Sequence, residues 1–108
     1  MATNFDQEQL EQLSGGDKAF EQELLQLFIG DTEDSLNQLA AAISTDNQTA
    51  VQALAHYIKG ASANIGAVGM FRMAASLEMV ARKGDLSDAT NTLRQLQTLH
   101  QEVRRLAR

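Results

Sequence analysis

Apolar residues recur every three or four positions along almost the whole chain, and this spacing limits the folds that the chain can adopt. This spacing gathers apolar side chains on one face of an α-helix, whereas a half-buried strand would need a sustained period of two, which is not found. The 108 residues include no proline, the residue that most strongly interrupts a helix. The chain is therefore predicted to be all-α.

Short polar or glycine-containing segments divide the helical pattern into five parts. They have the composition of helix caps and turns, as in Ser14-Gly15-Gly16, Ser44 to Asn47, Gly66 and Lys83-Gly84-Asp85. The predicted helices cover residues 6–13, 17–43, 48–65, 69–82 and 87–107. Four long amphipathic helices joined by short turns favour an antiparallel up-down four-helix bundle, with the short additional N-terminal helix covering one end.

Each long helix has a predicted buried stripe, read from the same spacing. The expected core residues are Phe20, Leu24, Leu27, Phe28, Leu36, Leu39 and Ile43 in the second helix, Val51, Leu54, Ala55, Ile58, Ser62 and Ile65 in the third, Met70, Met73, Ala74, Leu77 and Ala81 in the fourth, and Leu93, Leu96, Leu99, Val103 and Leu106 in the last. Gly30 weakens the second helix but is not expected to divide it.

Composition limits the class of protein. A chain of 108 residues is long enough for one modest core, so we expect a single domain over residues 1–108. The absence of cysteine excludes disulfides and thiolate metal sites. The first fifteen residues are polar and acidic, unlike a signal peptide, and no apolar run approaches the ~20 residues of a membrane helix. We expect a soluble, cytoplasmic monomer without membrane contact, although a soluble part of a membrane-bound protein would have the same composition.

The charge is unevenly distributed along the chain. Residues 1–46 contain ten acidic residues and one lysine, whereas residues 47–108 contain eight basic and four acidic residues, within a net charge of −5. Nucleic acid is not an expected partner, because phosphate neutralisation requires clustered lysine and arginine. The arginines at 104, 105 and 108 lie in the last turns of a predicted helix, where the helix dipole favours cations.

His56 lies in the middle of the third predicted helix and, at about 100° per residue, roughly opposite its buried stripe. Gly60 follows one turn later on the same outward face, with Ala53 and Ala63 nearby and Lys59 on the flank. A glycine inside a helix costs ~1 kcal/mol relative to alanine, and its place opposite the stripe argues against close helix packing. Small residues around one exposed nucleophile indicate that another protein must approach it closely.

The segment from His56 to Ala67 resembles the signature of histidine-containing phosphotransfer domains. In that family a histidine is followed by a variable residue that is expected to be small or polar, an aliphatic residue, Lys and Gly, then by small residues and a glycine at the helix end. Other segments that fit are Leu24-Leu25-Gln26-Leu27-Phe28, Asp46-Asn47, Leu77-Glu78 and Gly84-Asp85-Leu86, so the resemblance covers about residues 5 to 105. Tyr57 departs from the small or polar residue expected after the histidine, which bears on partner preference but leaves the nucleophile in place.

The resemblance implies a phosphocarrier without ATP-binding or kinase activity of its own. It would accept a phosphoryl group on the Nε2 atom of His56 from the aspartyl phosphate of a receiver domain and pass it to an aspartate of another receiver. An imidazole suits this task because its reference pKa near ~6.5 leaves much of it neutral at pH 7. Lys59 would stabilise the phosphoryl charge, and Gly60 would leave space for the receiver.

The resemblance also implies the partners and the limits of the site. The partners would be receiver domains of response regulators and a sensor or hybrid histidine kinase. The expected docking face consists of Gln52, Ala53, Gly60, Ala63 and Asn64. No cofactor and no metal site are expected in this chain, and the Mg²⁺ for transfer would come from the receiver.

Three alternatives stay open at this point. The chain could be a helical scaffold or degenerate phosphotransfer domain with an incidental surface histidine, a kinase domain could phosphorylate His56 directly, and the chain could be free-standing or part of a hybrid kinase. Asp31, Glu33 and Asp34 are interpreted as an exposed acidic helix face, and His100 as a structural residue at the edge of the last stripe. No glycine-rich loop follows a strand, so a nucleotide-binding fold is not predicted.

Overall fold

The computed structural model describes residues 4–107, which form five α-helices and, within that range, no strand. The helices are α1 (Gln7–Ser14), α2 (Lys18–Ser44), α3 (Gln48–Ile65), α4 (Val68–Arg82) and α5 (Ala89–Arg104). The predicted number and order of helices are confirmed, and α2 passes Gly30 without a break. None of the helices in the described range is long and apolar enough to cross a membrane.

The first three helices begin at polar side chains that cap their free N–H groups. Asp6, Asp17 and Asn47 each accept a hydrogen bond from the backbone N–H three residues later. α3 ends at Gly66, which has the left-handed φ of 90° predicted for a C-cap. A Cβ atom at Gly66 would lie 2.9 Å from the Asp6 carbonyl oxygen, so glycine also permits the start of α1 to lie against the end of α3.

The four long helices form the predicted antiparallel bundle. α3 packs against α2 and α4, and α5 closes the bundle by packing against the same two helices. The direction of α3 relative to α4 follows from its contacts, since Gln48 lies beside Gly84 at one end and His56 contacts Glu78 further along. α1 contacts α2 and α3, where the Gln9 side chain donates a hydrogen bond to the Ala63 carbonyl oxygen at 2.6 Å.

The predicted stripe of α2 is wrong at two positions. The side chains of Phe20 and Leu27 were expected in the core, but these residues are 43% and 71% exposed, whereas Leu25 and Ile29 are buried. α2 has apolar residues around more than half of its circumference, so two overlapping stripes satisfy the helical spacing. The stripe through Leu25 and Ile29 fills the core, and Leu27 is left at an open face.

The last helix is shorter than predicted. It begins at Ala89 because Ser87 instead donates backbone and side-chain hydrogen bonds to the Asp85 carboxylate, which forms a turn. It ends at Arg104, so the prediction that Leu106 is buried in this helix is also wrong, and Leu106 is 41% exposed. The remainder of the predicted stripe of α5 is buried or partly buried.

Candidate functional site

His56 lies near the middle of α3 on its outward face, and 69% of its side chain is exposed. The exposed position agrees with the angular placement read from the sequence. The Nδ1 atom of the ring lies 2.8 Å from the Oε2 atom of Glu78 on α4. Because a carboxylate accepts hydrogen bonds, this contact assigns a proton to Nδ1 and leaves the Nε2 lone pair of the neutral ring available.

Glu78 joins three basic groups through one carboxylate. Its side chain is only 7% exposed, and its Oε1 atom accepts a hydrogen bond from the Lys59 ammonium at 2.6 Å. Its Oε2 atom lies 3.1 Å from the Arg82 guanidinium and also contacts the ring of His56. The hydrogen bond from Lys59, followed by that from His56, holds the pKa of Glu78 below its usual value, although burial acts in the opposite direction. Glu78 is therefore ionised at neutral pH.

Lys59, which the sequence places on the flank of the outward face of α3, is held by an ion pair with Glu78. Its side chain is 30% exposed, and the ion pair with Glu78 draws it towards α4. An ammonium group has three donors, and this contact uses one of them. Arg82 adds a second cation on the same side of His56, with a largely exposed side chain. The sequence-based site included neither Glu78 nor Arg82.

Gly60 lies one helical turn after His56 on the exposed face of α3. A Cβ atom built at this position meets no atom within 4 Å, apart from its own helix backbone. Helix packing therefore does not require a glycine here, in agreement with the expectation from the sequence. The absence of a side chain leaves open space next to the imidazole.

A groove of about 720 Å³ lies mainly between α2 and α3, and His56 is one of the residues that line it. It is mostly apolar, and its lining includes Leu13, Leu24, Leu27, Phe28, Asp31, His56, Tyr57, Gly60, Ala61, Asn64 and Ile65. The two predicted docking residues Gly60 and Asn64 therefore lie in the same groove as the histidine. The other three, Gln52, Ala53 and Ala63, do not line it; Ala53 and Ala63 are exposed and Gln52 is half-buried.

Tyr57 and Asp31 both line the groove and are joined by a hydrogen bond. The Tyr57 hydroxyl donates a hydrogen bond to the Oδ2 atom of Asp31 at 2.6 Å, which joins α3 to α2. This hydrogen bond and the negative charge of Asp31 raise the pKa of the tyrosine above its usual 10.0. The residues of the predicted acidic face of α2 therefore have different partners. Asp31 accepts a hydrogen bond from Tyr57, whereas Glu33 forms an ion pair with Arg104 of α5 at 3.4 Å.

His100, the second histidine, lies away from this site. It is buried, and its Nε2 atom lies 2.9 Å from the Ile29 carbonyl oxygen, with which it forms a hydrogen bond between α5 and α2. This is the structural role that the sequence indicated for it. Within residues 4–107 no group of three or more His, Cys, Asp or Glu side chains is arranged to hold a metal ion.

Comparisons with known proteins relate the whole bundle to one family. The family model described as "Hpt domain" matches residues 23–106. The crystal structure of histidine-containing phosphotransfer protein B (HptB) from Pseudomonas aeruginosa PAO1 is similar over 98% of this chain and 92% of that chain, with 32% identity and a TM-score of 0.91. The HPT domain of a sensor hybrid histidine kinase from Shewanella has 14% identity over 95% and 92% of the two chains and a TM-score of 0.76, a likeness of fold alone. No curated protein sequence matches the chain.

Proposed function

Since this chain belongs to the Hpt domain family, we propose that it is a phosphorelay intermediate in which His56 accepts and donates the phosphoryl group. Hpt domains act in histidine phosphotransfer in two-component phosphorelays, as phosphocarriers rather than kinases, together with receiver domains and histidine kinases. The observation that supports His56 most strongly is its exposed ring, held at Nδ1 by the buried carboxylate of Glu78.

The proposed reaction consists of two balanced steps at Nε2. In the first, the Nε2 lone pair attacks the phosphorus of a receiver's aspartyl phosphate, a P–N bond forms, and the P–O bond breaks to release the aspartate as a carboxylate. In the second, a carboxylate oxygen of another receiver attacks the phosphorus, and the electron pair of the P–N bond returns to Nε2. The proton on Nδ1 stays in place throughout.

Glu78 supports both steps by holding the ring and by compensating its charge. A neutral ring protonated at Nδ1 becomes a cation when Nε2 is phosphorylated, and the Glu78 carboxylate 2.8 Å from Nδ1 stabilises that cation. The same contact fixes the tautomer, so the nucleophilic nitrogen is the one directed away from Glu78. Glu78 therefore acts as a positioning residue through His56.

Lys59 stabilises the transferred phosphoryl group, and Gly60 leaves space for the partner. One donor of the Lys59 ammonium is used by Glu78, and the others remain for the phosphoryl oxygens. The open space at Gly60 admits the loops of the receiver around its aspartate. The proposal assigns the Mg²⁺ and its acidic ligands to the receiver, and no cofactor to this chain.

The experiment that tests this proposal is phosphoryl transfer from a receiver domain labelled with ³²P on its aspartate. We expect the wild-type chain to gain a label that is stable in alkali and labile in acid, as a phosphohistidine is. His56→Gln is expected to gain none while its free energy of unfolding stays within ~0.5 kcal/mol of the wild type, because the side chain is exposed. A folded His56→Gln chain that is labelled as well as the wild type would overturn the proposal.

A further inference from the structure

The surroundings of His56 are electrostatically asymmetric. On the α4 side the two cations Lys59 and Arg82 contact Glu78. On the α2 side the groove is lined by the Asp31 carboxylate, which accepts a hydrogen bond from the Tyr57 hydroxyl at 2.6 Å. A protein that covers His56 therefore meets cations on one side and an anion on the other.

The Asp31 carboxylate is exposed and, within residues 4–107, has no cationic partner. This distinguishes it from Glu33, two residues later on α2, which pairs with Arg104. The hydrogen bond from Tyr57 satisfies one carboxylate oxygen and fixes the position of the group, but it leaves the negative charge uncompensated.

The groove next to Asp31 presents an apolar surface for a partner. Leu24, Leu27 and Phe28 contribute to it, and Leu27 is largely exposed although it belongs to the middle of a long helix. Because His56 lines the same groove, a receiver whose aspartate reaches Nε2 also covers the groove and its carboxylate. Covering a charge without a partner removes its hydration and weakens binding, whereas a complementary charge selects the partner that carries it.

We propose that Tyr57 and Asp31 select the receivers that exchange phosphoryl groups with this chain, by favouring receivers with a cationic side chain opposite Asp31. This inference rests on the proposed phosphotransfer function and adds a specificity determinant to it. Tyr57 contributes in two ways: its hydroxyl holds the carboxylate at the rim of the groove, and its half-exposed ring narrows the approach to His56 from the α2 side.

The position of Tyr57 in the sequence supports a role in selection. It follows the nucleophile directly, where the resemblance leads one to expect a small or polar residue. A small residue there would remove the aromatic ring beside His56 and leave Asp31 without its hydrogen-bond donor.

The test compares phosphotransfer to two receiver domains of the host, one with a lysine or arginine on the surface that covers Asp31 when its aspartate reaches Nε2, and one with an acidic or neutral residue at that place. The quantity measured is the ratio of their kcat/KM values with the wild-type chain phosphorylated on His56. Asp31→Asn is expected to lower the preference for the basic receiver about threefold to fivefold at ~0.05 M salt, and less at ~0.5 M. Asp31→Lys is expected to reverse the preference.

Two further variants separate selection from a structural role. Tyr57→Phe keeps the ring but releases Asp31, so it is expected to lower the ratio less than Asp31→Asn and to alter its salt dependence in the same direction. Glu23→Gln, on the exposed surface of α2 outside the groove, changes the net charge equally and is expected to leave the ratio unchanged.

The outcomes distinguish this inference from the proposed function. Normal labelling of His56 with the same receiver ratio in the wild type, Asp31→Asn and Asp31→Lys would overturn the inference alone. A lower melting temperature of Tyr57→Phe with an unchanged receiver ratio would show that the hydrogen bond only joins α2 to α3, and would overturn the role of Tyr57 in selection. A wild-type chain that accepts no label from any receiver would overturn the inference and the proposed function together.

Discussion

At the scale of single residues, Glu78 links side chains that lie far apart in the sequence. It contacts His56 and Lys59 of α3 from the neighbouring helix α4, so the site depends on how two helices pack. The position of His56 was predictable because 100° per residue places it opposite the buried stripe. The contact with Glu78 was not predictable from that rule, which orders residues around one helix only. An acidic residue within the inward-facing stretch of α4, between Leu77 and Ala81, was the signal in the sequence.

Replacing Glu78 with glutamine is expected to allow both neutral tautomers of His56. An amide offers both a donor and an acceptor, so Nδ1 no longer has to carry the proton, and the charge that compensates the phosphorylated ring is lost. We expect about tenfold slower transfer, and ¹⁵N NMR shifts of the ring that change from the Nδ1–H tautomer to a mixture. Glu23→Gln, which removes one negative charge from the exposed surface of α2, is the control for the change in net charge. A variant with a single Nδ1–H tautomer and the wild-type rate would contradict the role given to Glu78.

Lys59→Ala is expected to slow transfer without abolishing it. In the proposed mechanism the ammonium stabilises the phosphoryl oxygens through an interaction that its partial exposure weakens, whereas the nucleophile is indispensable. About tenfold slower single-turnover transfer is expected. Lys83→Ala, which removes an exposed cation at the end of α4, is the matched control and should transfer at the wild-type rate. A rate as low as that of His56→Gln, or one equal to that of Lys83→Ala, would contradict this assignment.

At the scale of the helices, substitutions of Gly60 in α3 are expected to change the free energy of unfolding and the transfer rate independently. Gly60 occupies a helix interior where a Cβ atom meets nothing, so Gly60→Ala is expected to stabilise the fold by up to ~1 kcal/mol. Gly60→Gln should also fold, but its side chain would occupy the open space that the proposed function assigns to the approaching receiver. We expect at least about tenfold slower transfer for Gly60→Gln, because small displacements of reacting groups are costly.

Gly30→Gln provides the matched control for this prediction. Gly30 is also an exposed glycine inside a long helix with open space around its Cβ position, but it does not line the groove. Melting temperature and transfer rate are measured on both variants. A destabilised Gly60→Gln chain, or a well-folded one that transfers as fast as Gly30→Gln, would show that Gly60 does not serve partner approach.

The helices also show which parts of the fold the sequence could define. α3 has one narrow apolar stripe, and its bounds and buried face were predicted correctly because a single arrangement satisfies the spacing. α2 has two overlapping stripes, and the choice between them depends on the positions of α3 and α5, which the sequence of α2 does not contain. The resulting error concealed Leu27 as a residue of the groove beside His56.

At the scale of the whole molecule, the ion pairs of Glu78 contribute to the stability of the bundle as well as to the arrangement of the site. The pKa of Glu78 is lower in the folded chain than its usual value of 4.5. An acid with a lowered pKa binds fewer protons when folded, so its contribution to stability is present above about pH 4.5 and is lost as the pH falls through the folded-state pKa.

We therefore expect the difference in melting temperature between the wild type and Glu78→Gln to be constant near neutral pH. Below about pH 4.5 the difference should narrow, because protonated Glu78 no longer forms its ion pairs. Thermal unfolding followed by circular dichroism from pH 7 to pH 3 measures this. A difference that widens on acidification would contradict the assignment of Glu78 as an ionised partner of Lys59.

The prediction of an antiparallel bundle succeeded because four amphipathic helices joined by short turns have few other ways to bury their apolar faces. The predicted single domain over residues 1–108 and the monomeric state remain predictions. The proposed function adds a requirement that only the assembled bundle meets: α2, α3 and α4 must together present His56, its partner Glu78 and the groove.

Whether the phosphoryl group resides on Nε2 of His56, with the Nδ1 proton kept in place by its hydrogen bond to Glu78, is best measured by ¹⁵N NMR. The chain is labelled with ¹⁵N-histidine and phosphorylated by a receiver domain carrying an aspartyl phosphate. We expect the Nε2 resonance of His56 to shift and to couple to ³¹P, Nδ1 to remain protonated, and the resonances of His100 to stay unchanged. A phosphoryl group on Nδ1 of His56, on His100 or on a residue other than histidine would contradict it.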